Sequence, residues 1–202
     1  MKQYVIKKLP AATKEIAWEH VAKAEVDVSP WKEFSSPYHM EAQVVYDDTA
    51  LYVHLKSDER ELRAVETKTN SDVCNDSCME FFLSPDAEDT RYVNIEINPL
   101  GTMLVFVCNG RGYFYEIPLD TSIFQVKSVI TQNGWELYYK VPFSFLLEHF
   151  EKISDTMYGN FYKCGNLTVR EHYACWNPID TPQPEFHCRQ YFGELILEQN
   201  AD

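Results

Sequence analysis

The chain has 202 residues, 45% of them apolar and 24% charged, which suits one domain with a sizeable core. Its formal charge of −13 excludes the basic footprint that a phosphate backbone or an anionic membrane surface requires. No stretch approaches the length of a bilayer-spanning helix, so neither nucleic acid nor membrane insertion is expected. The chain is rich in Tyr and Phe, residues that favour strands.

The N-terminus, "MKQYVIKKLPAATKEIAWEH", carries early lysines but no apolar run of signal-peptide length, so the default compartment is the cytoplasm. Residues 1–40, with Pro10, Pro30 and Pro37, read as an irregular segment packed along the edge of a sandwich. From Glu41 the pattern is β. In "EAQVVYDDTALYVHLKSDE" two runs flank Asp47-Asp48, and Leu51, Val53 and Leu55 alternate with Tyr52, His54 and Lys56. The polar stretch "DERELRAVETKTN" reads as a short helix or a loop. "CMEFFLSPD" is the next strand. "RYVNIEINPLGTMLVFVCNGRG" is a hairpin turned at "NPLG", and "KSVITQNGWELYYKVPF" is another turned at Asn133-Gly134. "PFSFLLEHF" predicts one short helix near 143–150 with Ser144 as its N-cap. The last strands fall near "GNFYKC", "HYACW" and "FGELILE". The expected fold is all-β: an antiparallel two-sheet sandwich, immunoglobulin- or jelly-roll-like, of nine to eleven strands, forming a single domain over residues 1–202.

Six cysteines are scattered through the chain and are expected to be free thiols. Cys164, His172, Cys175, His187 and Cys188 lie close in sequence, but their spacing lacks the paired knuckles of a zinc site. No metal site is assigned and no cofactor is required. The loops "VYDDT" and "SPDAEDT" leave a structural calcium ion open, although acidic loops are usually solvated turns.

Chemistry concentrates on one strand face. In "YVNIEIN", Val93, Ile95 and Ile97 point one way; Tyr92, Asn94, Glu96 and Asn98 point the other. Glu80 lies on the corresponding face of "DSCMEFFL". Amides and carboxylates spaced along a sheet suit a polyol, whose hydroxyls both donate and accept, while a solvated outer face is the plain alternative. Trp176 precedes Asn177-Pro178, where a strand should stop. It reads as a wall that could stack on a sugar together with Tyr173, or as a cover over a core edge. Arg111, in the "NGRG" turn, completes the candidate set.

Three blocks, "DSCMEFFLSPD", "RYVNIEINPLG" and "GNFYKCG…HYACWNPI…PEFH…FGELIL", resemble the family 9 carbohydrate-binding modules, in particular their stand-alone bacterial branch. The resemblance covers residues 41–198. It implies a β-sandwich that holds a sugar, in some members at a glycan end, between two Trp rings over polar residues. Matched by position, Trp176 is the second Trp, Glu80 the carboxylate of the "D-S-x-E" strand, and Asn94 a polar contact. The place of the first Trp reads "SDVCND", with Val73 and Cys74, so either another aromatic, with Trp31 or Tyr113 as candidates, takes over or the glycan-end clamp is lost. Glycoside hydrolases are the partners this implies. Two other classes compete: a glycoside hydrolase using Glu80 and Glu96, and a protein-interaction sandwich that has lost its sugar.

Overall fold

A computed structural model describes residues 1–115 and 117–199. Thirteen strands and one α-helix are found among them. The strands are β1 (Gln3–Lys8), β2 (Ala24–Val26), β3 (Met40–Tyr46), β4 (Ala50–Ser57), β5 (Cys78–Ser84), β6 (Tyr92–Ile97), β7 (Met103–Cys108), β8 (Phe114–Tyr115), β9 (Lys127–Thr131), β10 (Gly134–Pro142), β11 (Thr156–Gly165), β12 (His172–Cys175) and β13 (Gly193–Leu197). The helix, α1, spans Phe143–His149. The excess over the expected nine to eleven comes from short strands such as β2, β8 and β12, which are two to four residues long.

The strands form the two sheets of the expected sandwich. One runs β8-β7-β6-β5-β11-β13-β1 and the other β1-β3-β4-β10-β9; β12 sits beside β11, and β2 beside β3. The expectation for residues 1–40 needs correction here. Gln3–Ile6 pair in parallel with Glu194–Leu197 of β13, and Lys7 and Lys8 pair in parallel with Val45 and Tyr46 of β3. β1 therefore passes from one sheet to the other, and the fold is antiparallel except at this seam. Its signal was only partial: in "QYVIKK", Tyr4 and Ile6 are buried and alternate with Gln3, Val5 and Lys7, of which Val5 is apolar yet exposed.

Period-two patterning builds the main core. Leu51, Val53 and Leu55 of β4, Phe81 and Leu83 of β5, Val93, Ile95 and Ile97 of β6 and Leu137 of β10 meet between the sheets. The β9–β10 turn needs its glycine: Gly134 has φ +135°, and a Cβ there would lie 2.0 Å from the Ser57 carbonyl. The helix lies where expected, but its N-cap is Pro142 rather than Ser144. Pro142, still paired to Ala50 of β4, precedes the helix, and the Phe143 N–H donates to the Thr49 carbonyl. Ser144 is thus an exposed helical residue rather than a cap. The 58–70 stretch forms no helix. It is tied down instead by Asp76, which accepts from the Val65 and Glu66 N–H groups and pairs with Arg63.

The outer face of the first sheet is not solvated. Every residue of β5 and β6 is buried. A second apolar layer, including Trp31, Phe82, Tyr92, Tyr162, Ile179 and Phe192, covers that face. All six cysteines are free. No described helix is long and apolar enough to cross a membrane.

Candidate functional site

A cleft of about 410 Å³ opens on the outer face of the first sheet. That volume falls in the range of roughly 300–1,000 Å³ usual for small-ligand sites. Glu80, Glu96, Phe82 and Cys164 form its floor; Arg111 and Phe114 form one wall; Glu185, Phe186, His187 and Tyr173 form the other.

Strand register assembles the floor. Glu80 of β5 stands directly opposite Glu96 of β6, and Cys164 of β11 opposite Cys78 of β5. Glu80 and Glu96 are only 2% and 6% exposed. The Cys164 thiol donates to Glu80 Oε1 at 2.8 Å, and Asn94 Nδ2 donates to Glu96 Oε1 at 2.8 Å. Among the described residues Glu96 Oε2 has no hydrogen-bond partner. Burial pushes the Glu80 carboxyl up to about 7, against the Cys164 thiol and the nearby Lys163 cation, which favour its charge. Burial, followed by the charge of Glu80, raises Glu96 well above the ordinary carboxylate range. Two adjacent buried carboxyls resist carrying two charges. Near neutral pH the pair therefore offers a proton donor beside an acceptor, which is what a sugar hydroxyl can use from both sides.

The walls are aromatic and braced. Phe186 stacks on Tyr162 with centroids 4.1 Å apart and meets Tyr173 edge-on at 5.8 Å. Phe114 is 44% exposed and packs edge-on against His187. The Tyr92 hydroxyl and His187 Nδ1 lie 2.8 Å apart, and burial lowers the His187 pKa to about 4, so its ring is neutral. Arg111 Nη1 donates to Glu185 at 3.0 Å, joining the two walls across the mouth.

Four of the six sequence-derived residues, Glu80, Glu96, Tyr173 and Arg111, line the cleft. The other two do not. Asn94 is buried behind the floor, where its Oδ1 accepts from the Phe106 N–H and its amide holds Glu96. Trp176 is a core residue, 4% exposed, edge-on to Tyr4 and Phe161. Strand alternation explains this: Tyr173 and Cys175 face the outer layer, while Ala174 and Trp176 face the inter-sheet core. Gly193 packs against the ring so closely that a Cβ would lie 2.4 Å from Trp176 Cζ3.

Of the two replacements considered for the first Trp, Trp31 is 7% exposed, donates its Nε1–H to the Thr181 carbonyl and supports Tyr173 and Phe186 from behind. Tyr113 is 68% exposed and lies between rim residues Gly112 and Phe114. Cys74 lines the cleft and Val73 is buried. Sequence reasoning missed Phe114, Phe186 and His187 as cleft residues; the only signals were aromatics in the turn-rich "GRGYFY" and "PQPEFH" stretches.

The five clustered Cys and His residues do not converge. His172 Nε2 meets Lys163 Nζ at 3.0 Å, the Cys175 thiol points to the Val28 carbonyl, and His187 meets Tyr92. The acidic loops close their own turns: Asp47 accepts from Thr49, Ala50 and Tyr52, Asp86 from Glu88, and Asp89 from Arg91.

The family model of carbohydrate-binding family 9 matches residues 11–197. A protein from Bacteroides uniformis that carries a provisional carbohydrate-binding assignment is similar over 98% of this chain and 99% of its own, with 27% identity and a TM-score of 0.85. A family 9 carbohydrate-binding module from Caldicellulosiruptor kristjanssonii, solved with glucose, is similar over 100% of this chain and 98% of its own, at 15% identity and a TM-score of 0.71. A structure of such a module from the same organism with cellotriose gives 14% identity, 100% and 96% coverage and a TM-score of 0.70. A search of curated proteins found no match.

Proposed function

The chain belongs to carbohydrate-binding family 9, and on that premise we propose that the cleft over Glu80 and Glu96 binds a glucose-type sugar without cleaving it. The observation that carries the reading is the buried carboxyl pair, with an open oxygen at Glu96 Oε2, set between aromatic walls. The pair serves the hydroxyl rim, and Phe114, Phe186 and Tyr173 offer apolar faces to the sugar C–H groups. The glucose and cellotriose bound by the Caldicellulosiruptor modules make β-glucosides the first ligands to try. Placement supports binding without catalysis. A glycosidase sets its two carboxyls on either side of the scissile bond, whereas Glu80 and Glu96 are neighbours on one floor. The partners in this reading are glycans, together with the glycoside hydrolases that act on them.

Calorimetric titration of glucose and cello-oligosaccharides tests the proposal. With no paired Trp walls, the expected Kd is on the order of 0.1–1 mM, or about 4–5.5 kcal/mol. Phe186→Ala and Glu80→Gln should each weaken binding by roughly 1–3 kcal/mol, and no new reducing ends should form when cello-oligosaccharides are incubated for long periods. A folded wild type that binds none of these sugars, or an unaltered Kd in both variants, overturns the site. Released sugar overturns the non-catalytic reading.

A further inference from the structure

The cleft floor also brings together two thiols, which sugar recognition does not use, and the carboxyl pair that it does use. Cys78 and Cys164 stand opposite each other on β5 and β11, and Glu80 is two residues along β5 on the same face. One ligand atom from each, Cys78 Sγ, Cys164 Sγ and a Glu80 oxygen, lies within 4.8 Å of the other two. Cys164 Sγ and Glu80 Oε1 are 2.8 Å apart. Glu96, opposite Glu80 on β6, adds a buried oxygen with no partner among the described residues. We propose that Cys78, Cys164 and Glu80, with Glu96 Oε2 as fourth ligand, form a binding site for a soft divalent cation of the zinc type.

The donor set is two thiolates and two carboxylates, which suits a d¹⁰ ion that accepts S and O ligands in a tetrahedron. With Zn–S near 2.3 Å and Zn–O near 2.0–2.2 Å, tetrahedral ligand atoms sit about 3.4–3.8 Å apart. The three observed ligand atoms lie within 4.8 Å of one another, so they need adjustments of about 1 Å, and Glu96, which is outside that close group, has to swing in to complete the tetrahedron. Calcium and magnesium prefer all-oxygen ligands, so two sulfurs select against them. Both thiols, together with any proton held by the carboxyl pair, release their protons to solvent as the ion enters; its 2+ charge balances the two thiolates, and the two carboxylates are offset in part by the nearby Lys163 cation. Cys164 and Glu80 line the cleft, which supplies an entry path. The absence of a metal site in the sequence reading rested on linear Cys and His spacing. This group is assembled by pairing of three strands, which spacing cannot show.

The test is titration of the reduced, metal-free protein with Zn²⁺ in the absence of sugar, so its outcome is separate from sugar binding. One equivalent should bind and raise the melting temperature. Cd²⁺ added in its place should give the ultraviolet thiolate-to-cadmium charge-transfer band. Cys164→Ser and Glu80→Gln should each weaken zinc binding at least tenfold, and Cys188→Ser should leave it unchanged. If a variant fails to fold by circular dichroism, the cadmium band of the wild type decides instead. No band, no stoichiometric uptake, or uptake that survives loss of Cys164 overturns the site.

Discussion

Replacing Trp176 by alanine separates the two roles a reader of the sequence could give this ring. As a core residue it is 4% exposed and lies edge-on to Tyr4 at 6.5 Å and Phe161 at 5.8 Å. A buried Trp removes roughly 150–250 Å² from water, which at roughly 25 cal/mol/Å² is about 4–6 kcal/mol as an upper figure. Partial collapse around the gap brings the expected cost to about 4 kcal/mol, within the range of roughly 3–5 for such truncations. That is a large share of a typical stability of roughly 5–15 kcal/mol. Urea unfolding followed by circular dichroism measures the cost, and sugar titration well below the unfolding midpoint measures the site. The expected result is a strong loss of stability with affinity changed less than about threefold. Gly193→Ala should act in the same direction, because its Cβ would meet both the ring and the Lys2 carbonyl. A Trp176→Ala variant within about 1 kcal/mol of wild-type stability but unable to bind sugar would refute the core assignment.

His172 gives a pH prediction. It is fully buried beside Lys163, with Glu59 and Arg170 also acting on it, and burial first, then the Lys163 charge, lowers its pKa from 6.5 to about 4. The unfolded chain therefore binds a proton that the folded chain refuses, and stability falls as pH drops from about 6.5 to about 4. Relative to His172→Gln, the wild type should lose about 3 kcal/mol of unfolding free energy between pH 7 and pH 4, from 2.5 units at about 1.36 kcal/mol each; an unchanged difference across that window would remove the assignment. Lys163, fully buried and 2.9 Å from Glu59, should behave as a buried pair. Lys163→Met alone should cost about 3–5 kcal/mol, and the double variant with Glu59→Leu should recover part of it in a urea double-mutant cycle; strict additivity would show that the two are uncoupled.

Most of the sandwich was legible because alternation and turn residues agree along the chain. "YVNIEINPLGTMLVFVC" carries two strands with opposed faces and a turn whose Asn98 side chain accepts from the Leu100 and Thr102 N–H groups. β1 was passed over because three prolines beyond it suggested an irregular edge. A six-residue strand does not announce that its partners lie some 40 and 190 positions away. The helix cap was misassigned for a local reason: Ser144 resembles a cap, but strand pairing through Pro142 fixes where the chain turns.

The site divides along the same line. The row bearing Glu80 and Glu96 followed from alternation, but its burial did not, because the cover comes from the 27–36 and 181–192 segments, which have no periodicity of their own. Trp176 is the opposite case, since its place could have been read. Once "HYACW" is taken as a strand, period two puts Trp176 on the side of Ala174 and opposite to Tyr173, so the two rings cannot stack on one sugar. The proline after it marked the strand end correctly but carried no information about the face. What a sequence cannot supply is register between strands, and the chemistry of this cleft depends on it. A one-residue slip of β6 against β5 would turn Glu96 towards the inter-sheet core and place an Ile beside Glu80. The paired carboxyls on the floor follow from that alignment, and the contact with Cys164 from the register of β11 against β5.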